Sequence, residues 1–152
     1  MAQAEAALFT VGVFQDITWA ERGIDALKKQ GFTPDMMTVA GKSSPELAVF
    51  IERVLGGAPR SWTLPVVGPA VARGSLADAL DGPARDLNRI GIAAAMRRAG
   101  FQPHDGLIFE ALVEKGGVLV AVRDALRAAD ALSVLLSYGG GNASIGAWGK
   151  RV

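Results

Sequence analysis

A strand–helix–strand unit near the start of the chain constrains the fold more than any other feature. Residues 8–14 are mostly apolar and rich in β-branched and aromatic side chains, which predicts a strand with a buried face. Asp16 then precedes a segment with apolar residues at helical spacing, and we expect its carboxylate to cap that helix. Gly31 is predicted to end the helix, and residues 36–40 form a second apolar run.

A second strand and helix, near the end of the chain, repeat the strand-then-helix pattern of this unit. Residues 118–122 contain no polar side chain, so we expect a strand that is buried on both faces inside the sheet. Asp124 is predicted to cap the helix that follows. The first strand lacks the glycine fingerprint of dinucleotide-binding folds, and the intervening elements favour an antiparallel α+β sheet.

The middle of the chain is less regular. Ser44 and Pro45 predict the start of a helix that extends to about residue 55. Residues 57–65 contain two prolines and a glycine, which predicts a loop anchored by Trp62. Residues 66–72 are predicted to form a strand at an edge or a bulge, because Pro69 cannot donate a ladder hydrogen bond. Two further helices are predicted over 83–99 and 103–115.

Composition limits the class of protein. A chain of 152 residues, half of them hydrophobic, predicts a single domain over residues 1–138 with a glycine-rich tail over 139–152. The net charge of +1, without a basic block, gives no support for nucleic-acid binding. Cysteine is absent, which excludes disulfides and thiol catalysis. With no signal peptide and no apolar run of about 20 residues, we expect a cytoplasmic protein without a membrane span.

Four parts of the chain carry a resemblance to a known family. The first is residues 11–14 with Asp16 and Ala20–Arg22, and the second is Leu27, Gly31 and Phe32 with Met37–Ala40. The third is Pro65–Gly74, and the fourth is Ala99–Phe101 with Glu114–Val122. In these parts the chain resembles the bacterial general stress protein 17M-like family. The resemblance implies a small ferredoxin-like α+β domain, in which helices cover a four-stranded antiparallel sheet. It implies no assigned reaction and transfers no catalytic residue.

The candidate chemical residues are few. His104, the only histidine, stands beside Asp105 at a predicted helix start, where a general base or metal ligand is conceivable. It has no partner at a ligand spacing, and the alternative is a solvent-facing first-turn residue. We therefore predict no catalytic set, no metal site and no cofactor.

The predicted loop and the strand after it contain the three main candidate ligand-binding residues, which are Arg60, Trp62 and Arg73. The two arginines could bind an anionic ligand while the indole stacks against a ring. The alternative is that Trp62 plugs one end of the core and that the arginines are solvated.

The tail offers a second candidate region. Residues 139–146 resemble a phosphate-binding loop in glycine content but lack its lysine, so we expect a helix C-cap and a connection. Residues 142–149 alternate enough to predict an extra C-terminal strand, which could pair with a neighbouring subunit. Ile145 and Trp148 are the predicted assembly residues.

Two functions are compatible with these observations. The first is a noncatalytic stress-associated or interaction protein that self-assembles as a homo-oligomer. The second is a sensor or enzyme for a small anionic or aromatic ligand, with a pocket near the Trp62 loop that includes Arg60, Arg73 and His104. Whether the protein is an enzyme stays open at this point.

Overall fold

The computed structural model of the protein describes residues 8–140. They form one antiparallel sheet of five strands with six helices. The strands are β1 (Phe9–Phe14), β2 (Met37–Lys42), β3 (Arg60–Leu64), β4 (Gly68–Arg73) and β5 (Val118–Arg123). The helices are α1 (Ile17–Lys29), α2 (Pro45–Leu55), α3 (Ser75–Asp81), α4 (Leu87–Arg98), α5 (Pro103–Glu114) and α6 (Ala128–Ser137). None of these helices is long and apolar enough to cross a membrane.

Strand β5 lies inside the sheet, in the order β1-β5-β2-β4-β3. It pairs antiparallel with β1 on one side and with β2 on the other. Strands β1 and β2 therefore run in the same direction, with α1 crossing between them. Every residue from Val118 to Val122 is buried, so the prediction of a doubly buried internal strand is confirmed.

Helices cover both faces of the sheet. On one face α1, α2 and α6 enclose an apolar cluster, and on the other face α3, α4 and α5 enclose a second cluster. The largest buried side chains are Phe14, Phe32 and Phe50 in the first cluster and Phe9, Phe101 and Phe109 in the second. The α+β class and the antiparallel sheet are confirmed. The predicted sheet had four strands, whereas the sheet of the described residues has five.

The predicted helix ends agree with the structure at most positions. The Asp16 carboxylate accepts a hydrogen bond from the Trp19 amide at 2.9 Å, and Ser44 caps α2 in the same way. Gly31 follows α1 with a φ of 94°, the left-handed conformation that a glycine adopts without strain. Asp124 accepts amide hydrogen bonds in the turn before α6, which begins only at residue 128.

The prediction of a loop over residues 57–65 is wrong, because Arg60–Leu64 forms strand β3 and pairs with β4. Its two prolines flank the strand instead of interrupting it. The strand predicted over residues 66–72 is present as β4, but it is internal. Pro69 is tolerated there because it lies just beyond the end of β2, where the Ser43 amide donates to its carbonyl at 2.9 Å.

The region between β4 and α5 also differs from the prediction. Helix α3 was not predicted. The helix expected over residues 83–99 begins only at Leu87, and Gly91 interrupts it with a φ of 83° and a ψ of 174°. The strand predicted over residues 142–149, with Ile145 and Trp148, lies outside the described residues.

Candidate functional site

An open cleft of about 720 Å³ lies where β2 begins and β4 ends. Its walls come from the 3₁₀ turn at Pro34–Met36, from the end of β4 and from the start of α3. Arg60 and Arg73 line it together with Asp35 and Asp78, so both signs of charge reach the same space.

Arg60 is held by two carboxylates and an aromatic ring. Its guanidinium donates to Asp78 at 2.8 Å and to Asp81 at 2.9 Å. It also lies over the Trp62 ring, 4.7 Å from the ring centroid. The positive charge of Arg60 is therefore compensated within the protein.

Asp81 connects β3 to the start of α4. Its side chain is only 6% exposed, while that of Asp78 is 67% exposed. Besides Arg60, it accepts hydrogen bonds from the Leu87 amide at 3.2 Å and from the Trp62 indole at 3.4 Å. A buried carboxylate requires such partners, because an unpaired charge is costly to remove from water.

Arg73 differs from Arg60 in its surroundings. It donates to the Ala58 carbonyl at 3.1 Å and makes no ion pair with any residue from 8 to 140. Its guanidinium lies against Gly57, where a Cβ would overlap it. Arg73 is thus a positioned cation without a carboxylate partner in the described chain.

Helix α3 is attached to the sheet beside Arg73. The Leu76 amide donates to the Thr38 hydroxyl at 2.9 Å, and a Cβ on Gly74 would collide with Thr38. Ser75 lines the cleft at this point, and its hydroxyl is buried with no hydrogen-bond partner in the described chain.

The structure brings together three of the four predicted ligand residues. Arg60 and Arg73 both line the cleft, and Trp62 lies beneath Arg60. His104 is exposed in the first turn of α5 and does not line the cleft. Asp81 was not foreseen, since the sequence before Gly82 and Pro83 indicates only a turn.

A second charged cluster lies at the other end of α3. Arg98 donates to both carboxylate oxygens of Asp86, at 2.8 and 3.1 Å, and to the Leu80 carbonyl at 2.7 Å. Arg89 also donates to Asp86, at 3.1 Å. The hydrogen bonds from Arg98 hold the pKa of Asp86 below its ordinary value of 3.8.

Comparisons of the chain with known protein families, with curated proteins and with solved structures find no match. The resemblance to the general stress protein family therefore stays a prediction. Within residues 8–140 no group of three or more histidine or acidic side chains could hold a metal ion.

Replacing each carboxylate that binds Arg60 should separate a buried contact from an exposed one. We expect Asp81→Ala to lower the free energy of unfolding by about 2–3 kcal/mol, because it leaves a buried amide without an acceptor. Asp78→Ala, at the exposed contact, should lower it by less than about 1 kcal/mol. Urea denaturation measures the free energy of unfolding of both variants. Equal losses would contradict the claim that the buried Asp81 stabilises the fold more than the exposed Asp78.

Asp86 should contribute to stability in a pH-dependent way. Its pKa is lower in the folded protein than in the unfolded chain, so its contribution is complete above about pH 4 and is lost as the pH falls through the folded value. We therefore expect Asp86→Asn to lower the melting temperature at pH 7 and to have a diminishing effect below pH 4. Thermal unfolding across this range tests this.

Asp25→Asn is the matched control for this experiment, because Asp25 is exposed and makes no ion pair with a described residue. A deficit in Asp86→Asn that stays constant from pH 7 to pH 2 would show that its effect does not come from the charge.

Proposed function

We propose that the protein is a noncatalytic interaction protein that associates with further copies of itself, and that the contact forms along the outer edge of β3. The observation that carries this proposal is the position of β3 at one end of the sheet, paired only with β4 among the described strands. An edge strand presents backbone donors and acceptors that can pair with another chain.

The ladder defines which groups of β3 face outward. The Pro69 carbonyl accepts from Ser43, so the backbone of Pro69 points toward β2 and away from its neighbour Thr63. Successive residues in an antiparallel ladder point to opposite sides, so Trp62 bonds to β4. Ser61 and Thr63 therefore direct their amide and carbonyl groups toward the free edge.

Strand β3 carries few of the features that protect edges from association. Ser61 and Thr63 are exposed, small and uncharged, and the strand contains neither lysine nor proline. The charge of Arg60 is compensated by its two carboxylates. The opposite edge strand, β1, is buried along its whole length.

Two copies could pair about a two-fold axis at Trp62. In this register Ser61 of one copy faces Thr63 of the other, and each pair exchanges two backbone hydrogen bonds. The two Trp62 rings would lie on the same face, at the distance of a directly opposed cross-strand pair. Because a five-residue strand provides a small interface, we expect reversible association that depends on protein concentration.

A single backbone donor tests this contact. Ser61→Pro removes an amide that faces the free edge and is not used by β4, so the monomer should fold while association is lost. Ser61→Ala keeps the amide and should associate like the original protein. Sedimentation velocity over a wide range of concentration measures subunit number, and circular dichroism checks the fold.

A monomer at every concentration of the unchanged protein would contradict the proposal, as would equal association of Ser61→Pro and Ser61→Ala. The stress-associated role has its support in the sequence resemblance alone.

A further inference from the structure

We propose that the cleft beside Arg73 binds a small organic monoanion, with the carboxylate of the ligand on the Arg73 guanidinium and its carbon body against the apolar wall. The cleft shares Arg60 with β3 but is not lined by Ser61 or Thr63, the residues through which the proposed association would form, so the site does not depend on assembly. The inference rests on the hydrogen-bond and ion-pair partners of three groups in the cleft. These are Arg73, Ser75 and the pair formed by Arg60 and Asp78.

Arg73 supplies a cation whose position is already defined. The contact with Gly57 and the hydrogen bond to the Ala58 carbonyl restrict the guanidinium before any ligand arrives. A guanidinium carries five N–H donors in a planar fork, and only one of its hydrogen bonds is made to the described protein. The remaining donors match the two oxygens of a carboxylate.

Ser75 supplies a polar group next to this cation. A buried hydroxyl without a partner is uncommon in folded proteins, and such groups often mark a site for a ligand or an ordered water. Ser75 lines the same cleft and follows Arg73 by two residues. Because the hydroxyl oxygen is buried in the unliganded chain, we expect the Ser75 side chain to rotate toward the cleft, where its hydroxyl would donate to the second oxygen of a carboxylate bound to Arg73.

The other charges in the cleft indicate how much negative charge the ligand carries. Arg60 is compensated by Asp78 and Asp81, so it adds no net attraction for an anion. Asp35 also lines the cleft and brings a further negative charge. Repulsion from these carboxylates grows with the charge of the ligand, so a dianion or polyphosphate would meet more of it than a single carboxylate does.

The remaining wall and the size of the cleft favour an organic ligand over a bare ion. Pro34 and Leu55 present apolar surface to the same space, whereas Met37 and Ala77 line it but are almost fully buried. The volume of about 720 Å³ lies within the roughly 300–1,000 Å³ that is typical of small-molecule sites. A carboxylate attached to a ring or a short hydrocarbon would use both the cation and this surface.

Titration of the full chain with benzoate, acetate and inorganic phosphate, followed by amide resonances in two-dimensional NMR, tests the proposal. We expect benzoate to shift the Gly74, Ser75 and Leu76 amides saturably, acetate to bind the same amides more weakly, and phosphate to bind more weakly than benzoate. Arg73→Gln should weaken benzoate binding by about tenfold or more, since it removes a charged hydrogen bond.

Arg97→Gln is the matched control, because Arg97 is exposed on α4, outside the cleft, and makes no ion pair with a described residue. It should bind benzoate as the unchanged protein does. Ser75→Ala keeps Arg73 and should weaken benzoate binding severalfold, which gives a second test if Arg73→Gln unfolds. The absence of saturable shifts, equal affinities of Arg73→Gln and Arg97→Gln, or tighter binding of phosphate than of benzoate would each overturn the proposal.

Discussion

The burial of β5 on both faces is the constraint on which the rest of the structure depends. Its apolar residues have no access to water on either side, so helices must cover both faces of the sheet. Each fully buried valine contributes about 1.5–3 kcal/mol relative to an exposed one, so a polar substitution on either face of this strand would be costly. Because β1 and β2 both pair with β5, the crossover through α1 follows from the same constraint.

The two edge strands of the sheet, β1 and β3, differ in how far they are covered. The edge at β1 is closed by burial, whereas β3 has only partial cover, with Ser61 and Thr63 exposed. The two carboxylates on Arg60 affect both proposed surfaces. They remove a charge that would repel a second copy at β3, and they leave Arg73 as the arginine in the cleft without a carboxylate partner in the described chain.

Local patterns explain which parts of the fold the sequence predicts. The elements β1, α1, β2 and β5 were predicted correctly, because each is specified by residues close together in the chain. These residues are short apolar runs and capping residues such as Asp16. Strand β3 was missed because its stability comes from pairing with β4 and not from its own composition. The break at Gly91 was missed because the amide of Ala93 finds its acceptor in Glu110, on another helix.

The same distinction applies to the candidate site. The sequence singled out Arg60 and Arg73, and the structure places both in one cleft. The sequence could not show that Asp81, 21 residues after Arg60, would form an ion pair with Arg60. Nor could it show that Arg73 would have no carboxylate partner in the described chain. His104 was predicted as a ligand residue from its residue type alone, and it lies in the first turn of α5, outside the cleft.

Amide hydrogen exchange in β3 at several protein concentrations tests the central claim most directly. The Trp62 amide bonds to β4 and should be protected at every concentration, whereas the Ser61 and Thr63 amides should become protected only as the concentration rises. If Ser61 and Thr63 exchange freely at all concentrations, β3 does not pair with a second copy. If they are protected in the dilute monomer, the edge is already covered and the account of this surface is wrong.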